Sequence, residues 1–332
     1  MRAVQVTKPG GPEVLETTEL ADPEAGPGEL LVDVAIAGVN YIDTYQRAGI
    51  YRVDTPYVPG MEGVGRVRAV GDGVDEFAVG DRVAWAETIG SYAERVAVPA
   101  DKAVAVPDAV SDEQAVGALL QGMTAHFLVN DTYPLTADDT VLVHAAAGGV
   151  GLLLTQLAAA RGARVIGTVS TAEKGELARA AGATEVIRYT EFATPADLAA
   201  EVRRLTGGAG VDVAYDSVGK TTFDASLASL RRRGMLVLFG ASSGPVPPVD
   251  PQALNAAGSV YLTRPKLFDH VAERPALVTK AAAVYQAVAD GTLDVRIGGR
   301  YPLEQARSAH EDLHARRTTG KLLLTVRSTT RP

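Results

Sequence analysis

The run Val141-Leu142-Val143-His144-Ala145-Ala146-Ala147-Gly148-Gly149-Val150-Gly151 constrains this chain more than any other stretch. A short apolar strand runs into closely spaced glycines, and a helix-like segment, Leu152 to Arg161, follows. That order of strand, glycine turn and helix is what a dinucleotide pyrophosphate requires. Glycine has no Cβ, so the backbone can pass close to phosphates. The new helix then aims its N–H groups and the positive end of its dipole at them. The usual G-x-G-x-x-G spacing reads here as Ala146-Ala147-Gly148-Gly149-Val150-Gly151. Ala147, Gly148, Gly149, Val150 and Gly151 are therefore candidate cofactor-binding residues.

A chain of 332 residues predicts two domains, and 46% hydrophobic content is enough to fill their cores. The net charge of −8, with no Lys/Arg-rich stripe interleaved with aromatics, argues against nucleic acid as a partner. The absence of cysteine excludes disulfides, thiolate catalysis and any Cys-ligated metal, and fits a reducing cytoplasm. Met1-Arg2-Ala3-Val4-Gln5-Val6 reads straight into a strand with no secretory signal, and no apolar run approaches the roughly 20 residues of a membrane helix. The expectation is a cytoplasmic protein with no membrane partner.

Residues 1 to about 122 read as β-rich. Strands are predicted at Arg2–Thr7, Glu29–Val39, Gly63–Val70, Arg82–Trp85, Ala93–Pro99 and Ala103–Val106, between Gly, Pro and Asp turns. Only Asn40–Ala48 and Asp112–Gly122 look helical there. From 123 to 265 strands alternate with amphipathic helices, the signal for a parallel sheet with crossovers. Strands are expected at Thr140–His144, Arg164–Val169, Glu185–Arg188, Val211–Tyr215, Met235–Phe239 and Val260–Leu262. Helices are expected at Val150–Ala160, Glu173–Ala181, Pro195–Leu205, Thr221–Leu230 and Pro251–Ala256. Right-handed crossovers then give a six-stranded doubly wound sheet. The tail, 266–332, reads as helices Ala276–Ala289 and Leu303–Arg316 and a strand Lys321–Val326; it is too short for a domain and is expected to return to the first part.

The second strand of that sheet ends in Gly167-Thr168-Val169-Ser170-Thr171. NAD-specific sites carry Asp or Glu at this point to bond the ribose 2′-hydroxyl. None is present. Ser170 can bond a phosphate, and Lys174, a helical turn further on, would attract one. The predicted cofactor is NADPH.

The whole chain resembles the medium-chain dehydrogenase/reductase superfamily, and within it the zinc-independent quinone oxidoreductases, the ζ-crystallin-like branch. The likeness is carried by Gly10-Gly11-Pro12-Glu13-Val14-Leu15, by Gly38-Val39-Asn40-Tyr41-Ile42-Asp43-Thr44-Tyr45, by His144 to Gly151, by Tyr215-Asp216-Ser217-Val218-Gly219, by Phe239-Gly240 and by Leu262-Thr263-Arg264-Pro265. The resemblance implies an α/β protein: a GroES-like β-barrel domain, 1–122 completed by 266–332, and a Rossmann domain, 123–265, with the active site in the cleft between them. It further implies a homodimer or homotetramer. Edge-to-edge pairing of the sixth strand, Ser259–Leu262, is the expected dimer contact.

Zinc-dependent relatives hold their metal through two cysteines and a histidine. The corresponding positions here are Asn40, Met61 and Gln121. Glu62 survives, but one carboxylate does not make a zinc site. The resemblance places Asn40 and Tyr45 against the nicotinamide, Tyr189 at the adenosine 2′-phosphate, and Phe239, Gly240, Ala241, Ser242 and Ser243 at the nicotinamide ribose and carboxamide. Ser217 is expected nearby. Arg264 is expected on the carboxamide or a phosphate, and Arg316 adds charge from the tail. Gly122 lets the nicotinamide approach closely, and Thr124 can bond its carboxamide or the phosphate region. Tyr45 and Tyr51 can stack on a flat quinone or bond its oxygens, so Asn40, Tyr45 and Tyr51 are the catalytic candidates. His144 reads as structural, and His126, His270, His310 and His314 show no metal spacing.

The chemistry is consistent with a site that lacks a metal. Reducing a plain ketone makes an alkoxide, as basic as deprotonated water (pKa roughly 16), for which a Lewis acid helps greatly. Hydride addition to a quinone gives a phenolate-like anion whose conjugate acid lies near the tyrosine value of about 10. Positioning of donor and acceptor can then suffice. The expected function is NADPH-dependent reduction of a quinone, a small-molecule substrate. Reduction of the C=C bond of enones or enoyl thioesters needs the same geometry and stays open, as does a non-catalytic NADPH-binding role.

Overall fold

A computed structural model describes residues 1–326. The chain forms two compact units, one of Met1–Leu120 with the chain from Val271, the other Gln121–His270.

In chain order the first stretch gives β1 (Arg2–Gln5), β2 (Glu16–Glu19), β3 (Glu29–Val39), α1 (Tyr41–Arg47), β4 (Glu62–Val70), β5 (Arg82–Trp85), β6 (Arg95–Pro99), β7 (Val104–Ala105) and α2 (Asp112–Phe127). The middle gives β8 (Thr140–Val143), α3 (Gly149–Ala160), β9 (Arg164–Val169), α4 (Ala172–Ala180), β10 (Glu185–Arg188), α5 (Pro195–Leu205), β11 (Val211–Asp216), α6 (Phe223–Ser229), β12 (Leu230–Leu238), α7 (Pro251–Ala256), β13 (Tyr261–Thr263) and α8 (Leu267–His270). The chain then supplies α9 (Arg274–Ala289), β14 (Ile297–Pro302), α10 (Ala306–His314) and β15 (Lys321–Thr325).

In the first unit a seven-stranded sheet runs in the order β14-β15-β3-β4-β5-β7, with β6 also on β3. β3 is its spine. Its alternating Leu30, Val32 and Val34 are fully buried and pack with Val83, Trp85, Tyr92 and Val98. The pairing of β15 with β3 matches Leu322 to Val39, and that of β3 with β4 matches Gly38 to Glu62. This register brings the ends of three strands together, and a set of buried charges is built on them. The sheet is the GroES-like half of the fold.

In the second unit six strands pair in parallel in the order β10-β9-β8-β11-β12-β13. This is the doubly wound Rossmann order, with chain reversal beside β8. Strands buried on both faces are continuously apolar, and Val141, Leu142, Val143, Val165 and Ile166 have no exposed surface.

Four of the elements that escape the sequence pattern have a clear physical reason. β2 is charged and exposed, held only as the antiparallel partner of β1. β14 opens Ile-Gly-Gly-Arg, which reads as a turn, yet it pairs in parallel with β15. β12 begins at Leu230, five residues before Met235. Arg233 adopts φ 58° and a register shift follows Val211, so a bulge carrying three arginines hides the strand. Helix α2 runs through Gly122 to Phe127, because its neighbours Leu119, Met123 and Phe127 are fully buried and packing outweighs the helix cost of one glycine, about 1 kcal/mol.

Candidate cofactor and acceptor sites

β8 ends at Val143, and Ala145 turns the chain with φ 51°. The left-handed residue of this turn is thus an alanine. Gly148 is the N-cap of α3, with φ −77°, and its N–H bonds the Ala145 carbonyl at 2.8 Å. The glycines serve close approach instead. A Cβ on Gly151 would run into the Ala145 carbonyl and lie 2.9 Å from the Ala146 Cα, both backbone. The first helical bond is Leu152 N–H to the Gly148 carbonyl, so the N–H groups of Gly149, Val150 and Gly151 have no carbonyl ahead of them in the helix. Gly148, Gly149 and Val150 are half-buried and Ala147 is buried. The side-chain amide of Gln121 lies against the place a Gly149 Cβ would occupy. Sequence spacing could not have shown that contact.

His144, buried at the foot of this turn, bonds Thr168 Oγ1 through Nδ1 at 2.9 Å. Burial holds its pKa down, so it stays neutral, in keeping with a structural role.

The tip of β9 carries no carboxylate. Ser170 is half-buried, and Thr171 caps α4 by accepting the Lys174 N–H at 3.3 Å. The first acid, Glu173, is exposed on the opening turn of α4. Thr190 Oγ1 donates to the Ser170 carbonyl at 3.2 Å, which ties the turn holding Tyr189 to this tip. Ser170, Lys174 and Tyr189 thus belong to one corner of the second unit.

The ends of β11 and β12 form a second lip. Ser242 N–H bonds the Ser217 carbonyl at 3.2 Å, and Ser243 bonds Val218 through its N–H at 2.8 Å and its hydroxyl at 2.7 Å. A Cβ on Gly240 would collide with the Ser217 backbone, so only glycine lets the two loops meet. Ser217 and Phe239 to Ser243 are all half-buried. Arg264 follows β13, exposed, with Nη1 on the Pro265 carbonyl at 3.3 Å. Gly122 and Thr124 are buried on α2.

Asn40, Tyr45, Tyr51 and Arg316 lie in the first unit. Asn40 is the N-cap of α1, the helix that carries Tyr41 and Tyr45. The Tyr45 ring meets Tyr51 edge-on at 5.5 Å and Tyr41 at 6.2 Å, and Tyr51 is 44% exposed. Three tyrosines thus make one aromatic face, in which Tyr41 joins the Tyr45 and Tyr51 that the sequence singles out. Arg316 is exposed just past α10, in the left-handed region at φ 55°.

Two polar clusters beneath Asn40 were not legible in the sequence. Lys321 Nζ bonds both Glu62 Oε2 and Asn40 Oδ1, the latter at 2.8 Å, while Asn40 Nδ2 bonds Glu62 Oε2 at 2.9 Å. Asp43 accepts from the N–H of Asn40 at 2.8 Å, the N–H of Met61 at 3.2 Å and the hydroxyl of Tyr92 at 3.2 Å. Complete burial nevertheless pushes its pKa up to about 7.

Residues 149–273 match the family model described as zinc-binding dehydrogenase, and residues 26–108 match that of the alcohol dehydrogenase GroES-like domain. The quinone oxidoreductase of Salmonella typhimurium is 44% identical over 327 residues, 97% of this chain and 98% of that protein. A 2-haloacrylate reductase of a Burkholderia species is 38% identical over 330 residues, 97% of this chain and 98% of that protein. A mycobacterial protein solved in complex with NADPH superposes with a TM-score of 0.96 at 52% identity, covering 98% of this chain and 100% of that one.

Proposed function

The chain belongs to the quinone oxidoreductases of the medium-chain dehydrogenase/reductase superfamily, and on that premise we propose that it is an NADPH-dependent enzyme that reduces a quinone without zinc. The observation that supports the reading is the glycine turn after β8, whose Gly149, Val150 and Gly151 N–H groups have no helical acceptor, beside the Asn40, Met61 and Gln121 that the resemblance aligns with the zinc ligands of zinc-dependent relatives. Among the described residues no three His, Cys, Asp or Glu side chains cluster as metal ligands do.

When bound, NADPH supplies a hydride from its nicotinamide. The residues would divide the work as follows. The N–H groups of Gly149, Val150 and Gly151 hold the pyrophosphate, with Ala147 and Gly148 shaping the bend. Ser170, Lys174 and Tyr189 receive the 2′-phosphate, to which Arg316 adds charge. Ser217 and Phe239, Gly240, Ala241, Ser242 and Ser243 hold the nicotinamide ribose and carboxamide, with Gly122, Thr124 and Arg264. Asn40, Tyr45 and Tyr51 orient a flat acceptor, and the tyrosine hydroxyls hold a proton for the product anion.

An acceptor panel with NADPH and NADH, followed at the reduced-nicotinamide absorbance band, tests this. Quinone turnover with NADPH preferred is the expected result. Inert quinones beside rapid turnover of alkenals or enoyl thioesters would replace it with C=C reduction, the second reading, which the resemblance to the haloacrylate reductase favours. Binding of NADPH without turnover of any acceptor would leave a non-catalytic role.

β13 is an edge strand of the parallel sheet, and Tyr261 on it is 54% exposed. We propose a homodimer through residues 259–262, which Tyr261→Asp should dissociate in sedimentation. No helix among the described residues is long and apolar enough to cross a membrane.

A further inference from the structure

The buried ion pair of Glu62 and Lys321 lies beneath Asn40, with exposures of 0% and 1%. Glu62 opens β4, Lys321 opens β15, and Asn40 follows the end of β3, the strand between them. The pair crosses that strand at Gly38, where a Cβ would stand 2.5 Å from Glu62 Oε2 and 2.8 Å from Lys321 Cε. The second carboxylate oxygen, Glu62 Oε1, accepts the Leu120 N–H at 2.8 Å.

The two charges grip the Asn40 carboxamide by opposite ends. The ammonium has only donors and takes the amide oxygen. The carboxylate has only acceptors and takes the amide nitrogen. A flipped amide would set NH₂ against NH₃⁺ and C=O against COO⁻, so one orientation is enforced. Stability does not require this arrangement. A buried ion pair roughly breaks even against apolar residues of the same volume, whereas removing one partner strands a buried charge.

We propose that Glu62 and Lys321 are positioning residues, whose shared grip fixes the orientation in which Asn40 meets the reacting groups. The role in turnover rests on the reading of Asn40 given above; the grip itself does not.

Two measurements separate these. In the wild-type full-length protein, the Asn40 Nδ2 protons should exchange with solvent at least tenfold more slowly than those of the exposed Asn255. Equal rates would overturn the grip, whatever the enzyme reduces. In kinetics, Lys321→Met should unfold at lower temperature, because Glu62 is left charged and buried. The neutral pair Glu62→Gln with Lys321→Met should recover the melting temperature and the Kd for NADPH, yet keep kcat at least tenfold down, close to Asn40→Ala. A double variant with wild-type kcat beside a slow Asn40→Ala would overturn the positioning role. A fast Asn40→Ala would remove Asn40 from the reaction and the kinetic part of the proposal with it, while leaving the exchange result standing.

Discussion

Arg47 Nη1 lies 3.1 Å from His310 Nδ1, and this contact decides where the histidine carries its proton. A guanidinium only donates, so Nδ1 accepts and the proton sits on Nε2. Nε2 lies 3.0 Å from the Tyr92 hydroxyl oxygen, which therefore accepts and turns its own hydrogen to Asp43 Oδ2 at 3.2 Å. The result is a one-way chain of buried groups, from a cation on α1 through α10 to a carboxylate back on α1.

The chain predicts a compensated pH response. Burial, and then the charge of Arg47, push His310 down to about 3. The unfolded chain therefore takes a proton below its ordinary value near 6.5 that the fold refuses, and this contribution to stability is lost as pH falls. Asp43 has the opposite sign. The fold keeps its proton up to about 7 while the unfolded chain releases it near 4, so its contribution is present below about 4 and lost as pH rises through 7. Between about 4 and 6.5 the two slopes, each at most ~1.4 kcal/mol per pH unit, oppose each other. His310→Gln keeps an acceptor for Arg47 and a donor for Tyr92 but does not titrate. Relative to wild type it should lose stability steadily from pH 4.5 to 6.5 in urea titrations, and parallel profiles would refute the compensation.

Lys174→Glu should raise the KM for NADPH roughly tenfold or more, the loss of a charged hydrogen bond worth about 1.5–3 kcal/mol, with the KM for NADH little changed. Equal effects on both coenzymes would remove Lys174 from the 2′-phosphate corner.

Gly151→Ala and Gly175→Ala should part in opposite directions. At Gly151 the new methyl meets backbone that cannot yield, so melting temperature and NADPH affinity should both fall. At Gly175, inside α4, the nearest atom to a Cβ is Val186 Cγ1 at 3.4 Å, an ordinary contact. There alanine should gain roughly 0.5–1 kcal/mol from helix propensity and leave NADPH binding intact. A Gly151→Ala protein that melts and binds as wild type does would mean the bend is looser than its contacts indicate.

The sequence was most informative where neighbours in the chain are neighbours in space. The apolar run of β8, the bend at Gly148 and the empty tip of β9 are each local, and period and spacing reveal them. The sheet order followed from alternation and handedness. The grip on Asn40 could not be found this way. Glu62 and Lys321 are 259 positions apart and Lys321 and Asn40 are 281 apart, and only the register of β15 on β3 and β3 on β4 brings them together. His310 has no metal spacing and reads as inert; its importance lies in Arg47 and Tyr92, remote in sequence. Tyr41 does not stand out in the sequence, because an aromatic one helical turn from Tyr45 has the spacing of ordinary packing.

β14 and β15 are synthesised after residue 270, yet they complete the sheet begun by β3 and β4. On the ribosome, residues 121–270 can therefore mature before the segment that precedes them. Until β15 emerges, Glu62 and Asn40 lack the Lys321 ammonium that bonds both of them. Nascent chains arrested near residue 300 should resist protease in the middle and yield to it at the front, so maturation of this enzyme begins at its centre.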